Sequence, residues 1–216
     1  MLFRSGDIPH YAVYLLTGTT IWSFFTECTS QGIQAIVNRG DLLRKISFPK
    51  YIVVVSATLT AVINMLINLV VIIIFALING VVPSLTWLLV PFSLLEIYIL
   101  SLGLAFLLGA MNVRYRDITS IWDVLISALF YAVPIIYPLS MVASASKVAA
   151  KILLLNPMAQ TIQDIRFNLI TNETITTWGY IQNIGLKILP IVLTILVLIV
   201  GAIYFRKKSK FFAEEV

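Results

Sequence analysis

The chain has 216 residues, of which 60% are hydrophobic and only 12% are charged, and its mean hydropathy is +0.98. A soluble domain carries about 25% charged residues, so this composition could not cover a surface that faces water. A soluble globular domain is thereby excluded, and we expect an all-α, polytopic helical membrane protein. The net charge of +5 comes from basic residues that crowd particular loops, as the positive-inside rule requires, and it does not indicate nucleic acid binding.

The reactive residue types are scarce. The sequence has one cysteine, Cys28, and one histidine, His10, so neither an internal disulfide nor a Cys/His metal site is expected. A Ser/His/Asp triad is implausible with the histidine so near the amino terminus. No GxxxxGK[ST] motif occurs, so the chain cannot bind ATP by that route. We therefore expect neither a cofactor nor an enzymatic site.

Five apolar stretches are predicted to cross a membrane, because a hydrocarbon core of about 30 Å needs about 20 helical residues. They cover residues 11–37, 51–77, 85–111, 121–137 and 184–205, and are called spans A to E. Span A becomes polar after Phe25, and Pro134 interrupts span D. Residues 139–183 are only semi-polar, and we expect short helices there that dip into the membrane or lie on it.

The basic residues predict an orientation. The loops after spans A and C and the C-terminal tail hold ten of the fifteen basic residues: Arg39, Arg44, Lys45, Lys50, Arg114, Arg116, Arg206, Lys207, Lys208 and Lys210. These segments should be cytoplasmic. Five spans then place the amino terminus outside, and one explanation is that a first span is absent from this sequence.

Two polar loops between the spans carry the candidate docking residues. The first covers residues 38–50 and contributes Asn38, Arg39, Asp41, Leu42, Arg44, Lys45, Pro49 and Lys50; the second contributes Arg114, Arg116 and Asp117. Each loop has two interpretations. It is a topology signal that stays in the cytosol, or it is a contact surface for a soluble partner.

Two glutamates, Glu27 and Glu96, lie within or near predicted spans. A carboxylate inside a membrane is costly and therefore indicates a function by default. For Glu27 the alternatives are a structural or coupling role and contact with substrate. For Glu96 they are a functional role and a protonated carboxyl or one paired with a neighbouring subunit. Two isolated acids do not form a proton relay, so proton-driven transport is not favoured.

Aromatic residues are plentiful in spans A and D. Sugars stack on aromatic faces and hydrogen-bond to phenol groups, so these rings could line a path for a glycan. The candidates are Tyr14, Trp22, Phe25, Tyr131 and Tyr137. The alternative is that they are ordinary core or lipid-facing aromatics.

Several motifs occur in the order found in one transporter family. They are Leu15-Leu16-Thr17-Gly18 with Trp22 to Glu27, Asp41 to Lys50, Met111 to Ile118, Tyr131 to Pro138, and Leu155-Asn156-Pro157-Met158. Together they resemble the permeases of type-2 ABC exporters, and within that family the exporters of polysaccharide, O-antigen, capsule and teichoic acid. Each motif alone is weak, but the ordered set covers nearly the whole chain. The family has six spans, so this sequence would lack the first.

The resemblance implies a homodimeric permease in a bacterial or archaeal cytoplasmic membrane, forming one transmembrane domain over residues 1–216. Two copies of a separate ATPase would drive it through the coupling element, residues 38–50, with the second basic loop nearby. Residues 139–183 would form the outer gate segment, and the substrate would be a lipid-linked glycan. The alternatives are export of a drug or lipid, a membrane enzyme acting on lipid-linked sugars, and a non-catalytic scaffold.

Overall fold

The computed structural model describes residues 10–41 and 49–212, and this part of the chain is helical without any strand. Its helices are α1 (Tyr11–Gln34), α2 (Tyr51–Ile78), α3 (Val90–Arg114), α4 (Ile118–Ala132), α5 (Leu139–Ala145), α6 (Lys147–Leu154), α7 (Pro157–Leu169), α8 (Thr177–Tyr180) and α9 (Ile184–Lys208). Short 3₁₀ turns at Val37–Arg39 and Leu85–Leu89 follow α1 and precede α3. The all-α fold class is confirmed.

Of the helices that the structure describes, three are long and apolar enough to cross a bilayer: Tyr51–Ile78, Leu85–Arg114 and Ile184–Lys208, with mean hydropathies of 2.9, 2.1 and 2.8 over an 18-residue stretch. Together with the shorter apolar α4, they make this a polytopic helical membrane protein. Helix α1 has 24 residues, which is long enough to cross, but its second half carries polar side chains. That α1 and α4 also cross the membrane stays a prediction.

The helix in the region of span D has other bounds than the predicted span, residues 121–137. The helix begins at Ile118 and ends at Ala132, five residues before the predicted limit at residue 137. Val133 is extended, with φ −96° and ψ 141°. The cause is Pro134, which lacks a backbone N–H and disfavours helical geometry in the residue before it. Residues 133–138 therefore form a non-helical link at the end of α4.

Helix α3 lies at the centre of the bundle and packs against α1, α7 and α9. Glycines make the closest of these contacts possible. A Cβ on Gly103 would lie 2.7 Å from the backbone of Leu198 in α9, and a Cβ on Gly201 would overlap the carbonyl oxygen of Gly103. On the other side, a Cβ on Gly109 would lie 2.9 Å from the carbonyl oxygen of Gly32 in α1. Small residues allow such close approach, which drives helix association inside membranes.

Gly201→Ala should therefore loosen the contact between α3 and α9. The added methyl meets backbone, which cannot rotate away, so we expect a loss of about 1–3 kcal/mol of stability. Thermal unfolding of the detergent-solubilised protein measures the effect. Gly179→Ala is the matched control, because its nearest neighbour, Thr176 Oγ1, would be an ordinary 3.5 Å away. Equal melting temperatures for the two variants would contradict the proposed packing.

Three short helices of the outer gate segment, and the long helix α9 that follows it, begin at polar caps that the sequence supplies. The side chains of Ser146, Asn156, Thr176 and Asn183 accept hydrogen bonds from backbone N–H groups in the first turns of α6, α7, α8 and α9. Pro157 follows Asn156 at the first helical position, where its missing N–H costs nothing. In α1 to α4 no such side-chain cap is formed. Caps of this kind stabilise short helices by about 1 kcal/mol each.

Candidate transport surface and coupling site

A polar groove runs along one side of α1. Ser23, Thr26, Glu27, Ser30 and Gln34 recur at helical spacing and are exposed or half-buried. Two adjoining cavities, of about 400 and 310 Å³, share Ser30 and follow this face. From Ser23 to Gln34 the groove extends for roughly 16 Å at 1.5 Å per residue. A polar surface of this length at membrane depth requires water or another protein surface to cover it.

Glu27 is held in the groove by amide donors. Its Oε1 accepts hydrogen bonds from Asn64 Nδ2 at 2.6 Å and from Gln31 Nε2 at 2.9 Å. Glu27 belongs to α1 and Asn64 to α2, so their hydrogen bond joins these two helices. The neighbouring Thr26 hydroxyl is shielded from solvent and has no hydrogen-bond partner in the described part of the chain. The groove thus combines the hydrogen-bonded carboxylate of Glu27 with the nearby, unpartnered hydroxyl of Thr26.

The predicted aromatic path divides into two sets. Tyr14, Trp22 and Phe25 are 3%, 7% and 4% exposed, so in a single protomer they belong to the core. Trp22 contacts Phe25 and, on α4, Phe130 at centroid distances of 5.7 and 5.8 Å. These rings join α1 to α4, although the edge of Trp22 also borders the groove. Substrate contact by them stays a prediction.

The other two aromatics lie where α4 ends. Tyr131 is 73% exposed. The hydroxyl of Tyr137 donates to the Tyr131 carbonyl at 3.3 Å, which closes the non-helical link back onto the helix. Both side chains are accessible in the protomer, and their contact with substrate is likewise a prediction.

The residues of the coupling element that the structure describes are exposed at one end of the bundle. Asn38, Arg39, Asp41 and Pro49 are exposed and Lys50 is half-buried. The guanidinium of Arg39 donates to Ser56 Oγ on α2 at 3.0 Å, and Arg39 with Asn38 borders the polar groove. The candidates Leu42, Arg44 and Lys45 lie outside the described residues.

The second basic loop is joined to the same end of the bundle. Asn112 is buried, and its side-chain amide donates to the Ile33 carbonyl of α1 at 3.2 Å. Val113 packs in one apolar cluster with Ala35, Ile36 and the start of α2. Arg114, Arg116 and Asp117 follow and are exposed. The second loop therefore lies beside the helix ends that flank the coupling element, and a shared docking surface stays a prediction.

The C-terminal segment contacts the end of the coupling element. This contact was not predicted from the sequence. Lys50 Nζ donates to the Ser209 carbonyl and lies 5.7 Å from the centre of the Phe212 ring. Phe212 is fully buried, 5.3 Å from Phe205, which in turn lies 5.1 Å from Phe106 of α3. The sequence feature that could have indicated this contact is the pair of aromatic residues directly after the basic tail.

The second intramembrane acid, Glu96, meets the outer gate segment. Gln160 of α7 donates through Nε2 to Asp164 Oδ2 at 2.5 Å and to Glu96 Oε2 at 3.5 Å. Glu96 Oε1 is shielded from solvent and has no partner in the described part of the chain. Burial raises the pKa of Asp164 to about 6. Two carboxyl groups thus share one amide at the contact between α3 and α7.

Arg166 of α7 is the most buried basic residue within residues 10–41 and 49–212, with 0% exposure. It donates to the carbonyls of Pro134 at 2.7 Å and Ile135 at 2.6 Å, and to that of Tyr14 at 3.2 Å. Its guanidinium lies 3.5 Å from the centre of the Tyr14 ring. Burial lowers the pKa of Arg166 to about 10, which leaves it charged at neutral pH. In the prediction of orientation from the basic residues, Arg166 was counted only as a basic residue on the outer side.

Comparisons with known proteins agree with this architecture. The sequence profile of the ABC-2 type transporter family matches residues 2–170. The O-antigen export system permease protein RfbA of Myxococcus xanthus is 31% identical over 152 residues, covering 70% of this chain and 58% of that protein. Two proteins of the same name from Klebsiella pneumoniae are 27% and 28% identical over 209 residues, covering 96% of this chain and 76% of each relative.

The family profile spans the groove, both basic loops, the non-helical link after α4 and helix α7, and these are the features around which the candidate site is built. Its match covers well over half of the sequence, and the apolar helices are those of a multi-pass membrane protein. This chain belongs to the ABC-2 type transporter family.

Proposed function

We propose that the chain is the transmembrane permease of an ATP-driven exporter that moves a lipid-linked polysaccharide, O-antigen or teichoic acid across the cytoplasmic membrane. Membership of the ABC-2 type transporter family supports the transporter class, and the names of the three relatives support O-antigen as the kind of cargo. The match spans 58% of the Myxococcus protein, so the cargo and the partners are part of the proposal.

The groove along α1 is the observation that carries this proposal. It is hydrophilic, it follows a helix that we expect to cross the membrane, and it ends at Asn38 and Arg39 in the coupling element. A second copy facing this groove would enclose a polar passage. Such a passage suits the hydroxyl-rich chain of a glycan better than the apolar body of a drug or the acyl chains of a lipid.

Energy would come from a separate cytoplasmic ATPase that docks on the two basic loops. A conformational change of the ATPase can alter the permease only if the loops are firmly attached to the helices. The contacts of the loops must also differ between two conformational states. The described ends of the coupling element fit this requirement, since Arg39 is bonded to Ser56 on one side and Lys50 to Ser209 on the other. The positive charge at this end favours a cytoplasmic location.

The outer gate segment, residues 139–183, would open for the polymer at the opposite end. Three of its four short helices, α6, α7 and α8, have side-chain caps, and the segment is joined to the transmembrane bundle through Arg166 and the pair of Glu96 and Gln160. This arrangement suits a rigid unit that pivots on a few polar contacts.

Deletion of the gene in the producing cell tests the proposal. We expect surface glycan to fall below a tenth of the wild-type amount while lipid-linked polymer accumulates inside, because synthesis continues without export. Immunoblotting of intact cells and of lysates measures the two pools, and re-expression of the chain should restore the surface pool. Loss of both pools would instead indicate an enzyme acting on lipid-linked sugars, and an unchanged surface pool would rule out glycan export.

A further inference from the structure

A second groove lies at the outer end of the bundle, away from the α1 groove. It is formed by the start of α3, the end of α7, the turn after α7 and helix α8, and it encloses about 770 Å³. Small-molecule sites commonly occupy about 300–1,000 Å³. None of the residues singled out from the sequence as site candidates lines it.

Four aromatic side chains form the apolar part of this outer groove: Phe92, Phe167, Trp178 and Tyr180. Trp178 is 52% exposed and Phe92 is 70% exposed, so their faces are open. Exposed rings at the membrane boundary are ordinary on their own. They become informative here because polar groups converge on the same groove.

The polar part of the outer groove includes two carboxylates, those of Asp164 and Glu173, and two side-chain amides. Asp164, Asn168 and Asn172 line it. Thr174 also lines it, and its Oγ1 is shielded from solvent without a hydrogen-bond partner in the described part of the chain. Acceptors and donors beside aromatic faces suit a sugar ring, whose C–H face stacks while its hydroxyls hydrogen-bond. An acyl chain would leave these polar groups unpaired, at a cost of about 1–3 kcal/mol each.

The negative charge of the outer groove favours neutral sugars over ligands that contain phosphate. Among the residues that the structure describes, the charged side chains that line it are those of Asp164 and Glu173, and none is a lysine or an arginine. The neighbouring Lys187 lies 5.9 Å from the centre of the Trp178 ring, and Arg166 is fully engaged in the core. Phosphate recognition relies on basic side chains or helix N-termini, so this lining repels a phosphodiester polymer and a lipid phosphate.

We propose that the outer groove binds neutral sugar residues of the exported glycan as they leave the permease. This inference rests on the proposed function and narrows it, because it favours a neutral polysaccharide over a teichoic acid as cargo. Trp178 supplies the stacking surface, Asn168 and Asn172 hydrogen-bond to the sugar hydroxyls, and Glu173 discriminates against an anionic polymer.

Binding to the permease–ATPase complex in lipid nanodiscs tests the proposal. The probes are repeat-unit oligosaccharides released from the producing cell's own surface glycan, and an oligomer of glycerol phosphate. We expect the wild type to bind the neutral oligosaccharide, and Trp178→Ala to weaken it roughly tenfold, the loss of one aromatic contact. Leu88→Ala is the control, because Leu88 is 70% exposed beside the groove but does not line it.

Glu173→Lys should give measurable binding of the glycerol-phosphate oligomer, which the wild type should bind at least tenfold more weakly than the neutral probe. Equal affinities for the Trp178 and Leu88 variants would overturn the assignment of the groove. Tighter binding of glycerol phosphate by the wild type, or displacement of the oligosaccharide by phosphatidylglycerol, would overturn the ligand class. If deletion abolishes export while no oligosaccharide binds, the inference fails and the proposed function stands.

Discussion

Arg166→Met should destabilise the protein more than any other single substitution considered. The variant keeps a side chain of similar length but removes the donors to the carbonyls of Tyr14, Pro134 and Ile135. The carbonyls of Pro134 and Ile135 lie in the non-helical link after α4, where the backbone makes no helical hydrogen bonds that could replace the guanidinium. Each buried acceptor left unsatisfied costs about 1–3 kcal/mol, so the loss over these groups should reach several kcal/mol. We expect a melting temperature lower by about 10 °C or more in detergent, and little export.

Lys151→Met is the matched control, because it removes a basic side chain from the neighbouring α6 at an exposed position. Its melting temperature should stay within about 2 °C of the wild type, as is usual for surface substitutions. Gly18→Ala provides a second test, since a Cβ there would collide with the Arg166 guanidinium. It should show a smaller loss in the same direction. An Arg166 variant as stable as the Lys151 variant would mean that the three carbonyls do not depend on this residue.

The helical membrane architecture could be predicted because composition and span length are strong constraints in a bilayer. An interruption of span D at Pro134 was predicted, and the helix ends at Ala132, two residues before this proline. The predicted span continued along the apolar run to residue 137. Apolar content continued past the proline, but backbone hydrogen bonding did not.

The site was less predictable because its chemistry depends on packing between distant segments. Tyr14 and Trp22 could be chosen as aromatic candidates, but only the structure shows that α4 and α7 cover them. Glu27 could be singled out as an acid within or near a predicted span, but only the structure shows that Asn64 of α2 is its partner. Arg166 was counted for its charge, while its role depends on carbonyls 31, 32 and 152 positions away in the sequence. A local sequence pattern does not indicate a hydrogen-bond partner that is so distant along the chain.

Arg44→Glu combined with Lys45→Glu should abolish export while the protein still inserts. Both residues lie in the coupling element and outside the described residues, so the prediction rests on the sequence and on the anchored flanks. A like-charge contact with a partner costs several kcal/mol, and each 1.4 kcal/mol is a factor of ten. We therefore expect at least tenfold less surface glycan, together with loss of the ATPase on co-purification or ATP hydrolysis that no longer drives export.

The control must separate docking from membrane topology, because both depend on positive charge. Arg206→Glu combined with Lys207→Glu removes the same charge from the same end of the bundle, at exposed positions of α9 outside both loops. If the loop only fixes orientation, the two double variants should lose export equally. If it receives the push of the ATPase, the α9 variant should keep most of its export. Phe212→Ala should then fall between them, because it removes the aromatic support beneath Lys50 and leaves the docking charges in place.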